Sequence, residues 1–217
     1  MFKFEKNMAM AYSDFVYISE LEDLFGIVQK RKNLFPSLSG ITPSERLLLD
    51  LEDADLVPIN TEKAKSEHLI VPVLKEILRK NRNFSYFSDF LFDVDKTQGL
   101  SGYCDYIFST ETDAIEIKSP VFCIIEATGG VPQNRSLEEG YAQACAEMIA
   151  SRIFNEKKGK PTPVVYGCVT NAFEWSFLKL EENNFWIDTE RYYLDTNGLS
   201  QILSILQYIV ELFVNNK

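Results

Sequence analysis

The sequence predicts an α/β fold with a central mixed β-sheet flanked by helices. A helical pattern over 64–80 is followed by three strand-like stretches, over 84–94, 103–108 and 115–127. A stronger helical pattern over 136–154 comes next, and two further strand-like stretches follow it, over 161–170 and 173–181. The run VFCIIEA (121–127) is apolar at consecutive positions rather than at alternating ones. We therefore expect this strand to be buried on both faces, in the middle of the sheet.

Length and composition predict one domain over residues 1–217. Of the 217 residues 46% are hydrophobic, which is enough for a sizeable core. We divide the chain into an accessory helical region over 1–60, a core over 61–182, and a C-terminal strand and helix over 183–217. No run reaches the roughly 18 apolar residues of a membrane span, and the N-terminus has no long apolar segment typical of a secretory signal. We expect a cytoplasmic protein without a membrane partner.

The cysteine, histidine and charge content limits the kinds of functional site that the chain can contain. The four cysteines are spread singly through apolar stretches, which is typical of reduced core residues. His68 is the only histidine, which excludes every multi-histidine metal site. The formal net charge of −10 is unfavourable for binding nucleic acid. Two basic clusters, RKNR (79–82) and KKGK (157–160), could contact phosphates or form solvated surface, so we expect any DNA binding to be weak and salt-dependent.

Helical patterns dominate the N-terminal third of the chain. Apolar residues at helical spacing predict one helix over 21–28, and TPSERLLLDLED predicts a second that begins near Thr42. In the helix over 64–80, Glu67 shares a stripe with Val71, Leu74 and Leu78, so we expect Glu67 on the inward face. The helix dipole alone could equally place a glutamate in this first turn. Pro72 predicts a kink in the same helix.

Two strand-like stretches each carry a carboxylate in apolar surroundings. Asp105 lies within GYCDYIFS, and Glu126 follows the five apolar residues VFCII (121–125). An unpaired buried carboxylate costs several kcal/mol, so such a group is usually paired, protonated or bound to a cation. Strand ends can instead release a carboxylate to water. The two residues are therefore candidates for a functional pair, with solvated strand ends as the alternative.

The clearest helix lies over 136–154. Ser136 and Glu139 have capping-box spacing, and a stripe of alanines beside Gln143 would let the helix approach a sheet closely. The next two strands are joined by a tight turn at Asn171-Ala172, and a further strand is predicted over 185–194. The amphipathic segment over 199–214 predicts a C-terminal helix that packs on the sheet or, in a homodimer, on a second copy of the chain.

The order of these elements and polar residues resembles the PD-(D/E)xK nuclease superfamily, whose restriction-endonuclease-like core has the order αβββαβ. The resemblance covers about residues 60–182 and is nearest to uncharacterised bacterial proteins common in cyanobacteria, through INTEKAKSEHLIVPVL, GYCDYI, VFCIIEA, AQACAEM and VVYGCVTNAFEWSFLKLE. It implies a Mg²⁺- or Mn²⁺-dependent nuclease. It also implies that Asp105 and Glu126 bind the metal. Glu67 would assist through the water shell of the metal, and Gln143 would orient the site or contact the substrate backbone.

One position departs from the family pattern. The third strand of the family carries Glu-x-Lys, whose two side chains share a strand face, and the tripeptide here is Glu126-Ala127-Thr128. Threonine keeps a hydroxyl and loses the cation that would stabilise the transition state. Glu116-Ile117-Lys118 is an alternative Glu-x-Lys, and a lysine from elsewhere could also enter the site. Three hypotheses follow: a nuclease, an inactive module that binds nucleic acid or a protein partner, and a structural or oligomerisation role.

Overall fold

A mixed eight-stranded β-sheet forms the centre of the computed structural model, which describes residues 10–129 and 136–214. The strands are β1 (Val28–Lys32), β2 (Ser85–Leu91), β3 (Tyr103–Ser109), β4 (Val121–Ala127), β5 (Val164–Thr170), β6 (Glu174–Glu181), β7 (Asn184–Asp188) and β8 (Tyr192–Tyr193). Their order across the sheet is β1-β7-β6-β5-β4-β3-β2, and β8 pairs with β6 outside this path. The predicted α/β class with a mixed sheet is confirmed.

Helices cover both faces of the sheet. They are α1 (Ile18–Phe25), α2 (Glu45–Glu52), α3 (Glu62–Lys65), α4 (Val71–Lys80), α5 (Tyr141–Lys157) and α6 (Gly198–Val214). Residues of α1 and α5 share one apolar cluster with the sheet, and residues of α2, α4 and α6 share another on the opposite face. Helix α6 therefore packs on the sheet, the first of its two predicted arrangements. No helix within the described residues is long and apolar enough to cross a membrane.

Strand β4 lies inside the sheet, as its apolar run predicts. It pairs antiparallel with β3 and parallel with β5, and all seven of its residues are buried. Ile124 packs in the cluster that contains α5, whereas Ile125 packs in the cluster that contains α4 and α6. Because strand side chains alternate between faces, Glu126 points to the same side as Ile124, towards α5. All four cysteines are also buried in the core, as predicted.

The accessory region over 1–60 contains helices, and it also contributes a strand, β1, that was not predicted. Val28 was predicted to end a helix, yet VQKRK (28–32) pairs parallel with β7 at an edge of the sheet. Its five residues are exposed, and basic side chains are common on edge strands because they discourage pairing with other chains. The next helix, α2, begins two residues later than expected: Ser44, not Thr42, caps it by accepting a hydrogen bond from the Leu47 N–H.

The helical segment over 62–80 is interrupted by a π-helical turn at Ser66–Ile70. The Val71 N–H donates to the Ser66 carbonyl, and Pro72, which has no N–H, lies in the first turn of α4. The interruption of the helix therefore lies just before Pro72, and the kink predicted from Pro72 stays a prediction. The extra residue of a π turn rotates the preceding positions around the helix axis. The expectation that Glu67 lies inward is wrong for this reason: its side chain is 57% exposed and pairs with Lys63.

The start of α5 packs tightly against the end of β4. A 3₁₀ turn over Leu137–Gly140 precedes the helix, and Ser136 is the cap residue of that turn, but its side chain accepts no cap hydrogen bond. The predicted capping box is therefore not formed. A Cβ atom on Gly140 would lie 2.6 Å from Thr128 Cγ2, so only glycine allows this approach. The polar residues at the start of α5 are consequently held beside the end of β4.

Candidate functional site

Asp105 and Glu126 meet at the end of the pairing between β3 and β4. The last paired residues are Tyr106 and Ile125, and the same register places Asp105 opposite Glu126. The Ala127 N–H donates to Asp105 Oδ2 at 2.7 Å, which fixes the aspartate at the edge of the ladder. The two carboxyl groups lie within hydrogen-bonding reach of each other. The structure thus brings together the two acids that the sequence singles out.

These acids line a cleft of about 290 Å³. Its lining comes from the start of α3, from β3, from the end of β4 and from the start of α5, through Glu62, Asp105, Glu126, Ala127, Thr128, Gly129, Glu139, Gly140 and Gln143. Gln143 therefore reaches the site as expected. Glu67 does not line this cleft and instead borders a separate groove beside Arg46 and Asp50. The glutamate that the helical segment contributes to the cleft is Glu62.

Glu62 was not predicted because its position depends on the π turn. It opens α3 directly after Thr61, whose hydroxyl caps the helix by accepting from the Ala64 N–H at 3.1 Å. Its charge raises the pKa of Asp105 and of Glu126, and it lines the same cleft. The predicted helix began at residue 64, so the sequence pattern gave no indication that Glu62 lines the cleft.

Glu147 is a third carboxyl group of the site that the sequence reasoning missed. It lies on α5 with no exposed surface, and Gln143 Nε2 donates to its Oε1 at 3.1 Å. The Cys104 thiol and Glu126 also lie within hydrogen-bonding reach of it. The spacing of four between Gln143 and Glu147 places both on one helix face, and this signal was present in AQACAEM.

Burial and mutual repulsion raise the pKa values of the three acids. Burial raises the pKa of Asp105 to about 6, opposed by the Ala127 N–H and assisted by the charge of Glu62. Burial raises the pKa of Glu147 to about 8, with the charge of Asp105 acting in the same direction. The pKa of Glu126 lies well above its usual range because of burial and then the charges of Glu147 and Asp105. The cluster therefore holds protons near neutral pH.

Several buried oxygens of the cluster have no hydrogen-bond donor. They are Glu126 Oε2, Thr128 Oγ1 and Glu147 Oε2. Two ionised carboxylates cannot donate to each other, so Glu126 and Glu147 can be satisfied only by a shared proton, a water molecule or a cation. Unsatisfied buried oxygens in a polar cleft are the environment that a bound ion or ligand completes.

Thr128 brings a hydroxyl but no cation to the site. Its N–H donates to the Thr170 carbonyl at 2.7 Å, which extends the pairing of β4 with β5 by one residue. Lys118, the alternative cation, lies elsewhere. The Ser109 hydroxyl at the far end of β3 donates to the Lys118 carbonyl, and β4 separates that end from Glu126 by about 17 Å. The structure therefore does not bring Lys118 to the carboxylates.

The donor set fits a hard divalent cation. Carboxylate and hydroxyl oxygens are the ligands that Mg²⁺ and Mn²⁺ prefer, and Mg²⁺ commonly keeps several water molecules when one or two carboxylates bind it. Across residues 10–129 and 136–214, no three Asp, Glu, Cys or His side chains are spaced to enclose an ion.

No protein-family model matches the sequence, and no curated protein matches it either. The assignment of a function therefore rests on the geometry of this cleft.

Proposed function

We propose that the protein is a Mg²⁺- or Mn²⁺-dependent phosphodiesterase of the restriction-endonuclease-like type that acts on DNA. The observation that carries the proposal is the meeting of Asp105 and Glu126 in one cleft at the ends of neighbouring strands. The element order from α4 to β5, with a helix, three strands, a helix and a strand, supports the fold-level part of the proposal. Asp105 and Glu126 would hold the ion.

Each residue of the cleft has a defined task in this proposal. A bound divalent ion would polarise the phosphodiester and lower the pKa of water. Asp105 is oriented for binding by the Ala127 N–H, which leaves its other oxygen available. Glu126 presents a buried oxygen without a donor towards the same space. Gln143 lines the cleft, and its amide orients Glu147 and can contact the substrate backbone.

Ionisation of the cluster couples proton release to ion binding. Asp105 and Glu126 must be deprotonated to bind a cation, and their raised pKa values mean that protons leave when the ion enters. Glu147 lies beside Glu126 and can keep one of these protons without contacting solvent. It would then donate to Glu126 and fix the orientation of that ligand.

A second function, binding without cleavage, is favoured by one specific observation. Thr128 occupies the strand position at which the family carries its lysine, so β4 offers no charge to stabilise a transition state. A site that keeps its acids and lacks a usable cation would bind a metal and nucleic acid, or a protein partner, without hydrolysis.

The test compares wild type with the double variant Asp105→Asn, Glu126→Gln. These changes preserve shape and the hydrogen bond from Ala127 while removing both groups that can ionise to bind a cation. We expect Mn²⁺ binding in calorimetry to disappear, and cleavage of single- and double-stranded DNA with Mg²⁺ or Mn²⁺ to fall by roughly 100-fold or more. Glu67→Gln is the matched control, because Glu67 lies outside the cleft.

Each contrary result has a distinct meaning. Equal Mn²⁺ heats in wild type and the double variant would overturn the metal site. Metal-dependent DNA binding without cleavage in wild type would instead identify the inactive module as the correct function.

A further inference from the structure

Lys65 brings its ammonium group to the edge of the cleft. It ends α3, one helical turn after Glu62, and only 9% of its surface is exposed. A Cβ atom on Gly129 would lie 3.1 Å from Lys65 Nζ, and Gly129 itself lines the cleft. The ammonium also lies 5.8 Å from the centre of the Phe173 ring. A positive charge from the helix thus lies beside the residue that follows Thr128.

The local backbone leaves room for this ammonium. Gly129 has φ +129°, a conformation that side chains rarely adopt. A side chain there would also meet Lys65 Nζ and the Asn171 Cβ, which lies 3.8 Å from the same position. Glycine therefore allows the end of β4 to pass close to the lysine without covering it.

Lys65 has no counter-charge among the described residues. No carboxylate within the described ranges lies within ion-pair distance of its Nζ, whereas Lys63, two positions earlier, is 83% exposed and pairs with Glu67. The stem of Lys65 is buried, but its Nζ is not among the buried polar atoms that lack a hydrogen-bond partner, so the ammonium reaches solvent at the edge of the cleft, as is typical of lysine. The Phe173 ring beside it favours a positive charge at this place. An anion in the cleft would supply the missing partner.

We propose that Lys65 provides the cation that β4 lacks, contacting a non-bridging oxygen of a phosphodiester bound in the cleft. The inference rests on the proposed function and names the residue that contacts the substrate phosphate. The carboxylates alone would repel a phosphodiester, so the cleft needs a positive charge besides the metal ion. Lys65 supplies that charge from α3, beside Gly129, which explains how the site can dispense with a strand lysine.

The test compares Lys65→Gln with Lys63→Gln. Both remove one positive charge from the same short helix, but only the first does so at the cleft. Three quantities are measured: cleavage of a labelled single-stranded DNA oligonucleotide with Mn²⁺, binding of the same oligonucleotide in EDTA, and the calorimetric affinity for Mn²⁺ alone. Thermal unfolding of both variants checks that the fold is retained.

The expected result is selective. Lys65→Gln should reduce cleavage by roughly 100-fold or more, weaken oligonucleotide binding in EDTA, and tighten Mn²⁺ binding because a repelling charge is gone. Lys63→Gln should leave all three near wild type.

The outcomes separate this inference from the proposed function. If wild type cleaves and the two variants match it, Lys65 has no role and the nuclease proposal stands. If wild type does not cleave, the nuclease proposal fails, and oligonucleotide binding in EDTA decides: selective loss in Lys65→Gln supports a phosphate contact. Equal binding by both variants, or no binding by wild type, overturns it.

Discussion

The carboxyl group of Glu147 lies on the core side of the cleft without a positive partner among the described residues. It faces Glu126, Asp105, the Cys104 thiol and the Gln143 amide, and it has no exposed surface. An ionised carboxylate in such a place is strongly disfavoured. The raised pKa, about 8, means that the folded protein keeps a proton that the unfolded chain releases at lower pH.

This difference predicts a pH-dependent stability. Between the ordinary pKa of a glutamate and about 8, the folded state binds more protons than the unfolded state, so the free energy of unfolding falls as pH rises. Each unit of pKa difference corresponds to about 1.4 kcal/mol. Glu147→Gln should therefore gain stability relative to wild type as pH increases through this window, and little below it. Urea unfolding at a series of pH values measures the effect.

Glu156→Gln is the matched control, because Glu156 lies on the same helix in an exposed position. It should leave the pH dependence of unfolding unchanged. A parallel pH profile for wild type and Glu147→Gln would contradict the assignment of a retained proton to Glu147.

The helical segment over 62–80 shows why an element can be predicted while its inward face is not. Apolar periodicity correctly indicated a helix, and a π turn interrupts it just before Pro72. The stripe through Val71 and Leu74 was then extended to Glu67 as though the helix were regular. The π turn shifts the phase there, so Ser66 reaches the sheet, where its hydroxyl bonds the Tyr106 hydroxyl. Sequence periodicity does not locate such a turn.

Substitutions of Glu62 and of Glu67 test which glutamate the helical segment presents to the cleft. Glu62→Gln should weaken Mn²⁺ binding by roughly 10- to 100-fold, the range typical of groups that support metal ligands. Glu67→Gln should have little effect because its carboxylate is exposed and pairs with Lys63, away from the cleft. Calorimetric titration of Mn²⁺ into both variants decides the matter. The opposite ranking would show that the helix presents Glu67 to the metal.

At the scale of the molecule, the strongly apolar strands were predictable and the connections between distant segments were not. The burial of β4 and the tight turn before β6 follow from local sequence. The turn forms where the Asn171 side chain accepts from the Glu174 N–H at 2.8 Å. The parallel pairing of β1 with β7 joins residues more than 150 positions apart, and no local pattern encodes such a pairing.

The residues of the candidate site were likewise predictable only in part. Asp105 and Glu126 stood out because each interrupts an apolar strand, and Gln143 followed from the order of the elements. Glu147 looked like one more polar residue on a helix, although the tertiary structure buries it completely. Lys65 looked like a solvated helix lysine, and only the approach of Gly129 places it at the cleft. Such neighbours become visible once the strands and helices are packed together.

Both basic clusters, RKNR (79–82) and KKGK (157–160), lie far from the cleft. Arg79 lies seventeen positions after Glu62, about 25 Å along the helical segment, and pairs with Asp50 and Glu76. In the other cluster, Lys160 pairs with Glu111 at 2.6 Å. That cluster follows α5 at its far end, about 21 Å from Gln143. Much of the positive charge predicted to contact phosphates is therefore neutralised or distant.

This arrangement predicts weak DNA binding with a shallow salt dependence. Each neutralised phosphate of single-stranded DNA contributes about −0.7 to the slope of log K against log salt. Binding of one phosphate at the cleft through Lys65 should therefore give a slope of about −0.7, which Lys65→Gln should bring close to zero. Fluorescence anisotropy of a labelled oligonucleotide across a salt series measures both values. The contrary result is a slope steeper than about −3 that Lys65→Gln leaves unchanged and that the double variant Lys157→Gln, Lys158→Gln reduces. That result would place the DNA on the basic cluster at the far end of α5, away from the carboxylates.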